Sequence, residues 1–224
     1  MFKTLQKIGK AFMLPIAILP AAGLLLGIGG ALSNPTTVKS YPVLDNPILQ
    51  DIFQVMSAAG NVIFENLALL LSIGLCIGLA KRDKGTAALA GITGFLVMTA
   101  TTKALVVLSR HPDRTIDTGV VGSLVIGAVA VWLHNRYHNI ELPAFLGFFG
   151  GSRFVPIVTA FAGIIIGAFF FVVWPPIQAG MVSAGTAIAD WGVIGTFFYG
   201  FLMRLAGAVG LHPVSYTHLR AHET

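Results

Sequence analysis

Long uncharged apolar runs alternate with short polar connections along this chain, and each run is about as long as a membrane crossing. A helix rises about 1.5 Å per residue, so about 20 apolar residues cover a hydrocarbon layer about 30 Å thick. Residues 11 to 38 carry no charge, and their apolar part, Ala11 to Leu32, ends at Ser33-Asn34-Pro35, a turn signal. A second run, 52 to 80, is interrupted only by Glu65, and a third, 85 to 109, only by Lys103. Residues 118 to 135 form a fourth, and residues 154 to 178 a fifth that closes at Trp174-Pro175-Pro176. A sixth covers residues 191 to 211 around Arg204. Asn61, Glu65 and Asn66 stand at the centre of the second run and could mark a break. Each half is too short to span alone, so the run is taken as one crossing. The pattern predicts an all-α, polytopic membrane protein with five to six transmembrane helices.

Composition agrees: of 224 residues, 55% are hydrophobic and only 10% charged, and the mean hydropathy is +0.83. Too little polar surface exists to cover a water-soluble core, which excludes a soluble enzyme, a disordered tail and a disulfide scaffold. The net charge of +5 would suggest nucleic acid in a soluble protein. Here the basic residues fall at the ends of apolar runs, as topology signals do, and no nucleic-acid partner is expected. With the N-terminus cytoplasmic, the inner segments hold Lys3, Lys7, Lys10, Lys81, Arg82, Lys84, Arg136 and Arg153, while the outer ones hold Lys39, Arg110 and Arg114. That bias predicts a cytoplasmic N-terminus. Lys3, Lys7 and Lys10 ahead of an apolar stretch also resemble a signal peptide, but the stretch is too long and further spans follow, so a retained first helix is expected. Trp132, Tyr137 and Trp174 lie near span ends, where aromatic rings favour the headgroup layer. Gly23/Gly27, Gly74/Gly78 and Gly163/Gly167 are small-xxx-small pairs that permit close helix packing, within the chain or between copies.

Few side chains carry candidate chemistry. Glu65 is a carboxylate inside an apolar run, which costs about 3 kcal/mol on insertion scales. Two readings stand for it: a polar patch lining a solute path or anchoring a mobile element, or a structural partner of Asn61 or Lys103. Lys103 is close enough to Arg110 to snorkel to the interface. Cys76, the only thiol, is read as packing. His134, His138 and Glu141 have the spacing of metal ligands, but an interfacial location explains them more simply, and no metal or cofactor is expected. Gly27-Ile28-Gly29-Gly30 lacks the strand and the Gly-Lys-Ser/Thr ending of a phosphate loop. Arg204 and His212 are eight residues apart, a little over two helical turns, so both can face one surface. An arginine fork and a histidine suit a polar solute such as a sugar. Equally, they fit an arginine snorkelling at a helix end and a histidine in solvent.

Four stretches, in order, resemble the membrane component, enzyme IIC, of the glucose family of bacterial sugar phosphotransferase systems. They are Lys10-Ala-Phe-Met-Leu-Pro-Ile-Ala-Ile-Leu-Pro-Ala-Ala-Gly23, with its continuation to Gly30; Ile63-Phe-Glu-Asn-Leu-Ala-Leu-Leu-Leu-Ser-Ile-Gly-Leu-Cys-Ile-Gly78; Asn139-Ile-Glu-Leu-Pro-Ala-Phe-Leu-Gly-Phe-Phe-Gly-Gly-Ser-Arg-Phe-Val-Pro-Ile157, leading to Trp174-Pro-Pro-Ile177; and Tyr199-Gly-Phe-Leu-Met-Arg-Leu-Ala-Gly-Ala-Val-Gly-Leu-His212. The third is the most specific, and the likeness covers nearly everything from residue 1 to 212.

The resemblance implies group translocation in the bacterial cytoplasmic membrane. A hexose, glucose first and N-acetylglucosamine second, is bound outside, carried across and phosphorylated on its 6-hydroxyl by a IIB phosphocysteine that IIA recharges. It implies a ten-helix fold whose first half is a homodimer scaffold, here residues 1–178. Residues 179–212 would then be an amphipathic connection and the first helix of the sugar-binding half. Arg204 and His212 become sugar-pocket residues, His212 polarising the acceptor hydroxyl as its catalytic role and Arg204 fixing sugar hydroxyls. The sequence departs from the family after His212. Pro213 stands where a second histidine is usual, residues 213–224 read as a non-family, artefactual tail, and no downstream Gly-Ile-Thr-Glu glutamate or IIB phosphocysteine motif is present. The expectation is an N-terminal fragment, inactive alone. The alternatives are a non-catalytic scaffold that dimerises with intact permease, and an unrelated secondary sugar transporter.

Overall fold

The computed structural model describes residues 2–109 and 115–190, together with Phe197. Seven α-helices follow in order among the described residues: α1 (Phe2–Leu32), α2 (Pro35–Ser40), α3 (Pro47–Glu65), α4 (Leu67–Leu79), α5 (Lys84–Leu108), α6 (Gly119–Tyr137) and α7 (Phe154–Asp190). The segments Gly9–Leu32 of α1, Lys84–Leu108 (α5), Gly119–Tyr137 (α6) and Gly151–Ser183, which adds the three residues before α7 to most of that helix, are long and apolar enough to cross a membrane. The pair α3 and α4 makes a fifth candidate span, bent by 54° at its joint. This is the all-α polytopic architecture that the apolar runs predict. The sixth expected span, 191–211, lies outside the described residues apart from Phe197.

Local chemistry sets the boundaries. Span one ends at Leu32 as the turn signal predicts, and Asn34 caps α2 by accepting the Thr36 N–H at 2.9 Å. Asn46 caps α3 in the same way through Ile48 N–H at 3.0 Å, with Pro47 at the first helical position. Gln50 Nε2 donates to Leu32 O at 3.2 Å and Leu44 O at 2.8 Å, tying the end of α1 to the excursion that follows it.

The run 52–80, taken as one crossing with a possible break at its centre, bends at Asn66 between α3 and α4. Asn66 N–H still makes the helical bond to Val62 O, and the Asn66 side chain donates to the same oxygen at 2.8 Å, a side-chain bond of the kind that bends helices. One expectation needs correction: the fifth span does not close at Trp174-Pro175-Pro176, because α7 runs through both prolines to Asp190. Each proline withholds one intrahelical N–H, a loss that spanning helices tolerate when neighbouring groups satisfy the freed carbonyls.

Helices pack through small residues. α5 lies between α7 and the α4/α6 pair, and α1 packs on α3 and α4. A Cβ added at Gly60 would lie 2.5 Å from Leu26 N and 2.7 Å from Ala22 O, so α3 and α1 meet backbone to backbone. Gly74 and Gly78 receive Pro15 and Ala11 of α1, and Gly163 and Gly167 receive α5. A Cβ added at Gly23 or Gly27 meets none of the described residues within 4 Å. Of the three predicted small-residue pairs, two therefore serve packing within the chain. Trp174 is also buried, at 5% exposure, edge-on to Phe170 in a cluster with Met98 and Ile126, so its ring packs inside the bundle and does not face lipid.

Buried polar groups join helix pairs. The Ser72 hydroxyl donates to Gly91 O at 3.2 Å, linking α4 to α5, and the Cys76 thiol contacts Gly127 O of α6 at 3.7 Å. Thr102 Oγ1 lies 2.9 Å from its own helix at Met98 O and 3.2 Å from Gly167 O of α7. Its single proton serves both acceptors. Thr102→Val keeps the shape and removes the donor, and is expected to lower bundle stability by about 1 kcal/mol in a mild-detergent unfolding titration.

Candidate functional site

Arg204 and His212, the two residues expected to contact sugar, lie outside the described residues. Glu65 is described. It ends α3 just before the joint, exposed, and its Oε1 accepts the Asn61 side-chain N–H at 2.6 Å. The neighbouring contacts locate its depth. Gly60 meets α1 at Ala22 and Leu26, and Gly74 meets it at Pro15, so the Glu65–Asn66 joint lies beside the middle of α1. A carboxylate thus sits at mid-span with Asn61 as its hydrogen-bonding partner, one of the two partners anticipated from sequence. Lys103, the other, is exposed on α5, and the structure contains no ion pair between it and Glu65.

The most tightly organised polar arrangement among the described residues was missed at the sequence level. It lies where α6 ends against the turn between α4 and α5. His134 is completely buried, and its Nε2 lies 2.7 Å from Arg82 O. A carbonyl only accepts, so Nε2 carries the proton. Beside it, Asn135 Oδ1 accepts the Lys81 backbone N–H at 3.0 Å, while Asn135 Nδ2 donates to Leu79 O at 3.3 Å. Three bonds from consecutive residues hold the turn, whose Asp83 is left-handed at φ 43°. An alanine-rich core containing Ala80, Ala87, Ala90 and Ala130 packs beneath. His138 stacks on His134 with ring centroids 5.7 Å apart, and Glu141 is exposed. His134 is therefore more than an interfacial residue at a span end: its ring is a buried clamp. The signal available in sequence was a His-Asn pair ending an apolar span opposite a Lys-Arg-Asp-Lys turn.

The clamp defines one end of the bundle. α4 ends there, α5 begins there, α6 ends there and α7 begins there, and Gly78 against Ala11 brings the start of α1 to the same end. Basic residues of α1, of the α4–α5 turn and of the end of α6 and start of α7 collect there: Lys7, Lys10, Lys81, Arg82, Lys84, Arg136 and Arg153, against Asp83 and Glu141. At the opposite end Gln178 Nε2 donates to Thr115 O at 3.0 Å, joining α7 to the entry of α6.

Residues 9–220 match the model of the family described as phosphotransferase system, EIIC. The chain belongs to this family. It is the sugar-permease component of a phosphotransferase system, a multi-pass membrane protein whose family works with a sugar substrate and with IIA and IIB phosphocarriers. The match spans every described helix from Gly9 onward and includes Arg204 and His212.

Proposed function

We propose that this permease belongs to the glucose branch of its family and translocates glucose, with N-acetylglucosamine as the second candidate, coupling entry to phosphorylation by a IIB phosphocysteine. The match over residues 9–220 carries this reading, together with the ordered motifs around Phe64, Pro143 and Arg204. Arg204 fixes sugar hydroxyls, and His212 hydrogen-bonds the acceptor hydroxyl and polarises it. Glu65, held by Asn61 beside the middle of α1, supports a polar patch against which a moving element can seat. The basic end faces the cytoplasm of a bacterial cell, and residues 1–178 act as the scaffold of a homodimer, with the open Gly23/Gly27 face available to a second copy.

The test is phosphoenolpyruvate-dependent uptake of labelled glucose and labelled N-acetylglucosamine in bacteria lacking their own permeases. One strain carries this chain together with IIA and IIB phosphocarriers, and one carries the phosphocarriers alone. The expected product is intracellular glucose 6-phosphate in the first strain and none in the second, with a crosslinked homodimer in the membranes of the first. Product from N-acetylglucosamine and none from glucose would overturn the glucose assignment. Free sugar accumulating on a proton or sodium gradient would refute phosphorylation-coupled entry altogether.

A further inference from the structure

The connection between α6 and α7 presents an aromatic edge that the rest of the described chain leaves uncovered. Phe145 is 83% exposed, Phe148 72% and Phe149 43%. They lie on a 3₁₀ helix, Ala144–Phe149, whose three residues per turn put Phe145 above Phe148 on one side. The Phe149 ring meets that of Phe148 edge-on at 5.3 Å. The loop is built to hold this shape. Gly151 N–H donates to Ile140 O at 2.8 Å across its base, from a φ of 66° that suits only glycine well, and Leu146 N–H donates to Pro143 O at 2.8 Å. Arg153 closes it: its guanidinium lies 5.1 Å from the centre of the Phe148 ring, and Nη1 donates to Phe148 O at 3.3 Å. The other guanidinium N–H groups stay available, because an arginine has five.

The position of this edge decides what covers it. It joins the ends of two helices long and apolar enough to cross a membrane, where a headgroup layer would lie. Trp132, 62% exposed near the end of α6 and edge-on to Tyr137, is a further aromatic ring toward this end of α6. Exposed Arg136 lies between them along the chain, and the surrounding end is basic, with Glu141 and Asp83 as its acidic members. Apolar rings beside fixed cations complement an anionic lipid surface, apolar below the phosphate and negative at it.

We propose that the α6–α7 loop is a bilayer anchor selective for anionic phospholipid: Phe145, Phe148 and Phe149 insert at the acyl boundary while Arg153 and Arg136 hold the headgroup phosphate. Two measurements test it in vesicles of equimolar phosphatidylcholine and phosphatidylglycerol. A nitroxide is placed at Phe145→Cys or Phe148→Cys in a Cys76→Ser background, and its collisions with oxygen and with a water-soluble nickel chelate are compared. Oxygen should dominate at both positions, with the reverse at a Thr37→Cys control. A label open to the chelate would overturn insertion. A label shielded from both reagents would also overturn it, because the edge would then be covered by protein, either a second copy or a phosphocarrier. The second measurement is the ratio of the two lipids that co-purify with the protein. Phosphatidylglycerol should be enriched, and Arg153→Gln and Arg136→Gln should each lower the enrichment about fivefold, with Arg153→Lys retaining most of it. An equimolar ratio, or enrichment indifferent to both arginines, would overturn the selectivity. The Lys variant keeps this arm decisive if removing the charge disturbs the loop.

Discussion

Valine at both Gly163 and Gly167 is expected to separate α7 from α5 and to lower the unfolding free energy of the bundle by about 3 kcal/mol or more. A Cβ at Gly167 would lie 2.7 Å from Met98 O and 2.9 Å from Thr101 Cβ, and one at Gly163 would lie 2.9 Å from Gly94 O. The nearest atoms on α5 are backbone carbonyls, which cannot swing aside as a side-chain tip can. The helices must move apart, and the contact between Thr102 and Gly167 O at 3.2 Å goes with them. In a membrane the loss is not offset by moving apolar surface out of water, because lipid is as apolar as the helix, so packing and interhelical hydrogen bonds supply the association. Gly180→Ala, in the same helix, is the control. Its Cβ meets none of the described residues within 4 Å, and alanine favours a helix over glycine by about 1 kcal/mol, so a neutral or slightly stabilising change is expected. Denaturant titration of purified protein, followed by helical circular dichroism, measures both. Equal destabilisation by the two kinds of substitution would remove the case for close α5–α7 packing.

Removing the clamp is the second large effect. His134→Ala with Asn135→Ala deletes the partners of Arg82 O, Lys81 N–H and Leu79 O and leaves a space where a wholly buried ring was packed. Unsatisfied groups and the cavity together are expected to cost about 3 kcal/mol or more. Because the bonds converge on one basic turn, the effect should also be local. Trypsin should cleave after Lys81 or Arg82 at least tenfold faster than in the parent, an order-of-magnitude expectation from about 1.4 kcal/mol of local opening per decade. His134→Gln keeps a side-chain donor and should restore much of the resistance. Peptide mapping of the cleaved membranes checks the site. Unchanged cleavage with intact helices would mean that the turn holds itself.

Much of the architecture was readable in the order of residues. The turn after Leu32 followed from Ser33-Asn34-Pro35, and Asn34 does cap the helix that begins there. The four long apolar helices of the described region, and the bent α3–α4 pair as a fifth candidate span, follow from run length alone, since a helix that satisfies its own backbone is the economical way through hydrocarbon. Asn61 as the partner of Glu65 was also legible, because residues four apart share a helical face. Less legible was the fate of residues whose role depends on a neighbour. Trp174 looked interfacial from its place before two prolines, yet Phe170, Met98 and Ile126 enclose it. His134 looked interfacial from its place at a span end, yet a carbonyl 52 residues away in sequence binds it. Arg204 and His212 rest on motif likeness and lie outside the described residues.

By itself the sequence determined that this protein lives in a membrane, how many apolar runs it brings, where its charges can sit, and which family's motifs it carries. These properties are additive along the chain: each run is long enough or not, and each basic residue lies in a connection or does not. Only the tertiary structure decided that the second run bends at Asn66, that α7 continues through Pro175 and Pro176, that Gly163 and Gly167 face α5 while a Cβ at Gly27 meets none of the described residues, and that His134 and Asn135 lock a distant turn. Those outcomes depend on which groups meet across helices. In a chain where almost every run is apolar, hydrophobicity says that helices cross the membrane but does not select their faces. Small residues, buried hydrogen bonds and the register between neighbours select them.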